Sequence, residues 1–204
     1  MSYIFLLGAT IGSFLNVVVY RLPKKISIAK GRSYCPACGT RIRNYDLIPI
    51  LSYLILGGRC RTCKTRISLR YPLVELSAGL MALLVFQING LNFESLLLFA
   101  LGSVLLAASL IDYDTMTIPD SLIVSLLPLA AAFFLADPET TLLSRLIGTA
   151  AISLPMYLSL YLKEDSFGGA DIKLFAVLGF ILGWQKILLT MFIAAVLGSV
   201  FGII

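Results

Sequence analysis

Five stretches of the chain, 3–20, 72–88, 95–111, 121–136 and 145–162, are apolar runs that meet or approach the length needed to cross a bilayer. A helix spanning the hydrocarbon takes roughly 20 residues, about 17 to 25 in practice. With 59% hydrophobic residues, 13% charged residues and a mean hydropathy of +0.95, the chain reads as an integral membrane protein and not as a water-soluble domain. The run at 3–20 has no basic residue before it and no small-residue cleavage pattern after it, and Arg21 follows it, so it is expected to stay as a spanning helix and not to be a secretory signal. After Asp171 the pattern is less regular: 174–183 holds ten apolar residues, and Trp184, Gln185 and Lys186 separate it from the run 187–204. Ten helical residues measure about 15 Å, half a bilayer, which fits either a short re-entrant helix or one that starts in the preceding loop. The expected fold class is an all-α polytopic membrane protein of about six or seven transmembrane helices, with a small cytoplasmic tetracysteine zinc-binding loop domain.

Charge sets an orientation. Of the 16 Lys and Arg residues, 12 lie between Arg21 and Arg70, where Asp46 is the one acid. The positive-inside rule makes this loop cytoplasmic and puts the N-terminus outside. The connections 89–94 and 137–141 then fall outside, and neither carries a Lys or Arg; 112–120 and 163–173 fall inside. The rule accounts for the net charge of +5 without nucleic acid, and no nucleic-acid partner is expected. The expected domains are a first transmembrane helix (1–20), a basic zinc-knuckle loop (21–71) and a transmembrane core (72–204).

Within the basic loop, Cys35-Pro-Ala-Cys38 and Cys60-Arg-Thr-Cys63 are two C-x-x-C knuckles separated by 21 residues. Paired knuckles at this kind of spacing can present four thiolates tetrahedrally, the geometry of closed structural Zn²⁺ sites. Nearby Arg32, Arg41, Arg59, Arg61 and Lys64 favour ionised sulfurs. Disulfides and a redox pair are the competing readings; a reducing cytoplasm disfavours the first, and the second does not call for another knuckle. Four protein ligands leave no open position, so the metal is expected to be structural.

Two acidic clusters flank apolar runs: Asp112, Asp114 and Asp120, then Glu164, Asp165 and Asp171. Charge topology expects both on the cytoplasmic side. Acids beside spanning helices are functional candidates. Asp112 directly follows an apolar run, and Asp171 follows the turn-permitting pair Gly168-Gly169. If two such carboxylates converge they share one proton, and one activates water while the other polarises a scissile carbonyl. The chain has no His, so Ser-His and Cys-His mechanisms lack their base. Ordinary readings compete: Asp120 after Pro119 and Asp171 are both placed to cap helices, while Asp114, Glu164 and Asp165 could be solvated. Spacing alone selects no pair.

Several motifs together resemble the type IV prepilin peptidases, the prepilin leader peptidase/N-methyltransferase family of GxGD-type aspartic membrane proteases. These are Gly12-Ser-Phe-Leu-Asn16, Tyr20-Arg-Leu-Pro23, the two cysteine knuckles, Asn44-Tyr-Asp-Leu-Ile-Pro-Ile-Leu-Ser-Tyr53, Ile67-Ser-Leu-Arg-Tyr-Pro-Leu-Val-Glu75, Ile111-Asp112 with Ile118-Pro119-Asp120, and Gly168-Gly169-Ala170-Asp171. The resemblance implies that Asp112 and Asp171 are the catalytic pair, supported by Gly168, Gly169, Pro119 and Asp120. It further implies removal of a basic leader from type IV prepilin or pseudopilin precursors at the cytoplasmic face of a bacterial inner membrane. Methylation of the new N-terminus with S-adenosyl-L-methionine would follow, and Glu75 is a candidate contributor, although a helix-dipole role suits it equally. Ala170 departs from the second Gly of the motif and is expected to be tolerated if its backbone is helical or extended. The resemblance also implies a Pro-Phe-Gly-Pro-rich terminal stretch, which a sequence ending at Ile204 does not contain, so a final helix is expected to be missing. A carboxylate-lined transport pathway and a non-catalytic zinc-knuckle scaffold are the alternatives. The uncharged centres of the spans disfavour the first, and the two aspartate motifs disfavour the second.

Overall fold

A computed structural model describes residues 1–162 and 168–202; Glu164 and Asp165 of the second acidic cluster lie outside the described residues. The chain divides into two compact units, Met1–Met116 and Thr117–Ile204. The first contains α1 (Ser2–Arg21), a long connection with a 3₁₀ turn (Asn44–Leu47) and the short α2 (Leu51–Ile55), then α3 (Arg70–Asn89) and α4 (Phe93–Thr115). The second contains α5 (Asp120–Ala136), α6 (Leu142–Leu162) and α7 (Gly169–Gly202). Five of these helices are long and apolar enough to cross a membrane, and α5 is apolar but shorter at 17 residues. Among the described residues the remaining regular pairing is two isolated β-bridges, both in the cysteine loop.

Lipid is as apolar as leucine, so spanning helices associate where small residues let their backbones approach. In the first unit Gly8 and Gly12 of α1 face Ala78, Gly79 and Ala82 of α3. A Cβ on Gly12 would stand 2.7 Å from the Glu75 Cα, so this crossing admits no side chain there. The same seam carries one polar tie, from Asn16 Nδ2 to the Tyr71 carbonyl at 3.2 Å. α4 is capped at its start by Asn92, whose side chain accepts the Ser95 amide at 2.7 Å. Its end lies beyond the apolar run. Backbone bonding continues through Asp112 and Asp114 until Met116 takes a left-handed conformation (φ 53°) and donates its amide to the Asp112 carbonyl at 2.7 Å. Residues 112–115, expected as loop, are therefore the last turn of a helix that outlasts its hydrophobic stretch.

In the second unit α6 and α7 cross at Gly148 and Gly179, each of whose missing side chains would run into the other's carbonyl. α7 begins at Gly169, so the apolar residues after Asp171 belong to a helix that already contains that aspartate. The interruption falls at Gly183, with φ 76° and ψ 168°, and not at the polar trio that follows it. Such a φ suits glycine alone. The break frees the carbonyls that end the first half of α7, and Arg145 of α6 collects two of them, Phe180 at 3.2 Å and Ile181 at 3.0 Å. A cation at a helix C-terminus is also favoured by the helix dipole. The same guanidinium donates to the carbonyls of Phe133, Asp137 and Thr140, is completely buried, and is flanked by the Phe134 and Phe180 rings.

Candidate functional site

The two cysteine knuckles are built alike. In the first, Cys35 N–H donates to the Thr40 carbonyl at 2.9 Å and Gly39 N–H to the Cys35 carbonyl at 2.8 Å. In the second, Cys60 N–H donates to Thr65 at 2.9 Å and Lys64 N–H to Cys60 at 3.1 Å. Each is closed by one antiparallel bridge, Tyr34 with Arg41 and Arg59 with Arg66. The fold brings all four sulfurs within 4.8 Å of one another, and none is in a disulfide. This cluster could hold a metal ion. Threonines complete it: hydrogen bonding with Thr65, whose hydroxyl oxygen lies 3.3 Å from the Cys63 sulfur, pulls the Cys63 thiol down to about 6, and Thr40 lowers Cys38 in the equivalent way. Both effects favour the thiolates that a metal requires. Asp46 fixes the 3₁₀ turn to the second knuckle by accepting from Arg61 at 2.9 and 2.7 Å, and this guanidinium holds its carboxyl below the usual range.

Each knuckle has a left-handed residue at the same place, Gly39 with φ 67° in the first and Lys64 with φ 59° in the second. A left-handed residue with a side chain costs about 1–2 kcal/mol, so Lys64→Gly is expected to stabilise the loop by about 1 kcal/mol. The midpoint for loss of bound metal during denaturation checks it; an unchanged or lower midpoint would count against the strain.

The carboxylates are placed by helix ends. Asp112 lies half-buried in the last turn of α4, next to the fully buried Ile111. That turn is clamped from α3: Arg70 donates to both oxygens of Asp114 at 2.8 and 2.6 Å and to the Leu110 carbonyl at 3.1 Å. Asp114 is thus engaged in an ion pair, and Asp112 sits between the two gripped residues. Arg70 stood in the sequence as a basic loop residue within the Ile67–Glu75 motif, and nothing there announced this clamp on the end of α4.

Asp171 is the third residue of α7, and not its cap. Its carboxylate leans back over Gly168: a Cβ on Gly168 would stand 2.9 Å from Asp171 Oδ2, whereas one on Gly169 would meet nothing within 4 Å. Ala170 lies in the first helical turn, where its methyl is accommodated, as expected of a helical conformation. Asp120 is the first residue of α5 with Pro119 as the cap, so it does not cap the helix. Its carboxylate instead accepts from Lys173 at 2.8 Å, an exposed pair that ties the start of α5 to the start of α7. Gly168→Ala is therefore expected to displace the Asp171 carboxylate and cut any activity that uses it about tenfold, about 1.4 kcal/mol, with Gly169→Ala near neutral. Comparing turnover of the two variants checks this; equal effects would break the assignment of the glycines.

Glu75 is buried in α3 and accepts the Ile50 amide at 2.7 Å, with Ser13 as a further partner. Ile50 has φ 61°, a strained conformation for a β-branched residue, and Glu75 holds it in place.

The chain matches two family models, the bacterial peptidase A24 N-terminal domain over residues 6–88 and the type IV leader peptidase family over residues 99–203. It is 36% identical to the prepilin leader peptidase/N-methyltransferase of Pseudomonas putida, over 97% of this chain and 78% of that protein. The protein of the same name from Vibrio cholerae is 36% identical over 90% of this chain and 79% of its own. That from Bacillus subtilis is 33% identical over 99% and 82%. No solved structure matches it significantly. With models covering both halves and relatives aligned over almost its whole length, the chain belongs to the type IV leader peptidase family.

Proposed function

We propose that this protein is an aspartic endopeptidase that removes the basic leader from type IV prepilin-like precursors and then N-methylates the exposed residue. The observation that carries the reading is the near full-length likeness to prepilin leader peptidase/N-methyltransferases. The comparisons favour it over a transport pathway or a scaffold.

Asp112 and Asp171 form the catalytic dyad of this proposal, with Gly168, Gly169, Pro119 and Asp120 supporting them. Their positions in terminal turns of apolar helices suit work on a precursor whose own apolar helix is already in the bilayer. With one proton shared between them, the ionised carboxylate takes a proton from water as its oxygen attacks the scissile carbonyl. The protonated partner donates to the carbonyl oxygen. Collapse of the tetrahedral intermediate breaks the C–N bond, and the amine leaves with a proton from the dyad. S-adenosyl-L-methionine, when bound, would supply an electrophilic methyl to that amine; Glu75 already has a structural partner in Ile50 and is assigned no step.

The metal is proposed to be zinc. Four Zn–S bonds of about 2.3 Å make a tetrahedron with edges of about 3.8 Å, and Cys35 Sγ and Cys63 Sγ are 3.8 Å apart. Residues 21–71 then form a metal-folded loop domain, and 72–204 the peptidase core. The bacterial inner membrane is the location, with the N-terminus outside and the loop and dyad at the cytoplasmic face, where the positive-inside rule puts the basic segment.

Incubating the reconstituted protein with a pilin-type precursor, and following leader loss by mass spectrometry, tests the function. No cleavage by folded, metal-replete protein would overturn it. Cys35→Ser with Cys60→Ser is expected to remove stoichiometric zinc; a full complement in the double variant would refute the site.

A further inference from the structure

The connection between α1 and α3 carries an apolar surface at the level of the membrane boundary. That level is marked in the first unit by exposed tyrosines at three helix ends, Tyr20 on α1, Tyr71 on α3 and Tyr113 on α4, with Lys24 Nζ 3.6 Å above the Tyr20 ring. Tyrosine is enriched where spanning helices meet headgroups. α2 does not stand off from this level. Its entry residue, Ile50, gives its amide to Glu75, which lies five residues inside α3, about 7.5 Å beyond Arg70. Even with the Glu75 side chain leaning toward the N-terminus of α3, α2 starts beside the tyrosines.

α2 turns its polar side inward, burying Ser52, and leaves Leu54 and Ile55 exposed at 68% and 78%; Leu69 is 65% exposed, and Leu51, Ile48 and Leu47 are exposed as well. This many exposed large apolar side chains in a loop this basic need a cover. Next to it lies a cleft of about 620 Å³ lined by Tyr53, Arg59, Arg66, Ser68 and Leu69. Arg59 and Arg66 are directly opposed in an antiparallel bridge, so their side chains share one face. Neither has an acidic partner among the described residues. Like charges directly opposed destabilise a pair unless an anion lies between them.

We propose that this half of the metal loop is docked on the anionic lipid leaflet, with Leu51, Leu54, Ile55 and Leu69 among the upper acyl chains and Arg59 and Arg66 holding headgroup phosphate. The charge complementarity is local and one-sided: apolar residues for the chains beside an unpaired guanidinium pair for the phosphate. The four-sulfur centre is then carried on the membrane surface and not on a free tether.

The test places one indole on α2. Full-length Ile55→Trp in a Trp184→Phe background is reconstituted into vesicles of phosphatidylcholine and phosphatidylglycerol containing a lipid brominated near the headgroup. Fluorescence is expected to be quenched severalfold more by the brominated lipid than by aqueous acrylamide. The reverse order overturns the proposal. Hydrogen exchange of residues 47–56 is expected to slow as the phosphatidylglycerol fraction rises, and Arg59→Gln with Arg66→Gln to abolish that dependence while bound metal is retained. An unchanged dependence removes the phosphate role. Protection that arises only when a pilin-type precursor is added would reassign the face to a protein partner.

Discussion

Asp171→Asn is expected to leave a folded, metal-bound protein whose cleavage rate has fallen at least about a thousandfold, and Asp112→Asn to do the same. Asparagine keeps the shape and removes the ionisable group, so packing is spared while proton transfer is lost. Positioned acid–base groups contribute roughly 10² to 10⁴ in rate, and a thousandfold is about 4 kcal/mol of barrier. Residues that act as one unit lose that contribution once, so the double variant is expected to be no slower than either single one. The neighbouring acids supply the contrast. Asp114 is bound by Arg70 at 2.6 and 2.8 Å, and Asp120 by Lys173 at 2.8 Å, so Asp114→Asn and Asp120→Asn are expected to change turnover by about tenfold or less. Steady-state cleavage of a pilin-type precursor separates these cases. Wild-type turnover in either Asp112→Asn or Asp171→Asn would remove the dyad.

Arg145→Met is expected to cost about 3–5 kcal/mol of stability, the usual penalty for breaking a buried charged network from one side. The guanidinium is inaccessible to solvent, and its five carbonyl partners come from the end of α5, the connection between α5 and α6, and the first half of α7. Methionine fills much of the volume and supplies no donor, so those carbonyls and the Asp137 carboxylate 3.6 Å away lose their partner together. Unfolding in mixed detergent reads the loss as a lower midpoint; a shift within error would show that water replaces the side chain. Asp137 adds a pH dependence. Hydrogen bonds from Thr140, and then the nearby Lys186 and Arg145, depress its pKa in the folded state. A depressed carboxylate contributes stability above its unfolded value of about 3.9, and that contribution is lost as the pH falls through the folded value. The wild type is therefore expected to lose part of this network in acid, and Asp137→Asn to flatten that limb.

Apolar runs located the long helices because length and hydropathy are local properties, and the cysteine cluster was visible because both its chemistry and its spacing lie in the sequence. The ends of elements were less visible. Asp112 and Asp114 read as loop because polarity begins there, yet backbone bonding carries the helix to Thr115. Asp120 read as a cap because it follows a proline before an apolar run; its partner Lys173 is 53 residues away and nothing near Asp120 announces it. Arg145 looked like the first residue of a span. An arginine amid that much apolar sequence was a signal in itself, but only the break at Gly183 shows which carbonyls it serves. The case for Asp112 and Asp171 over their neighbours came from motif order, and the Arg70 grip on Asp114 supplies a separate physical reason to prefer Asp112.

The non-helical glycine in α7 has a mechanical consequence. It leaves Asp171 on a rod of little more than three turns, about 18 Å from the joint. Held at the far end by the Arg145 guanidinium and at the near end by an exposed ion pair, that rod is a lever with a firm fulcrum and a light latch. A tilt of about ten degrees at the fulcrum swings the carboxylate end through about 3 Å, on the scale of a hydrogen bond. Two halves of one helix can thus tilt separately: the trailing half with the thickness of the bilayer, the leading half with the ion pair that holds its start.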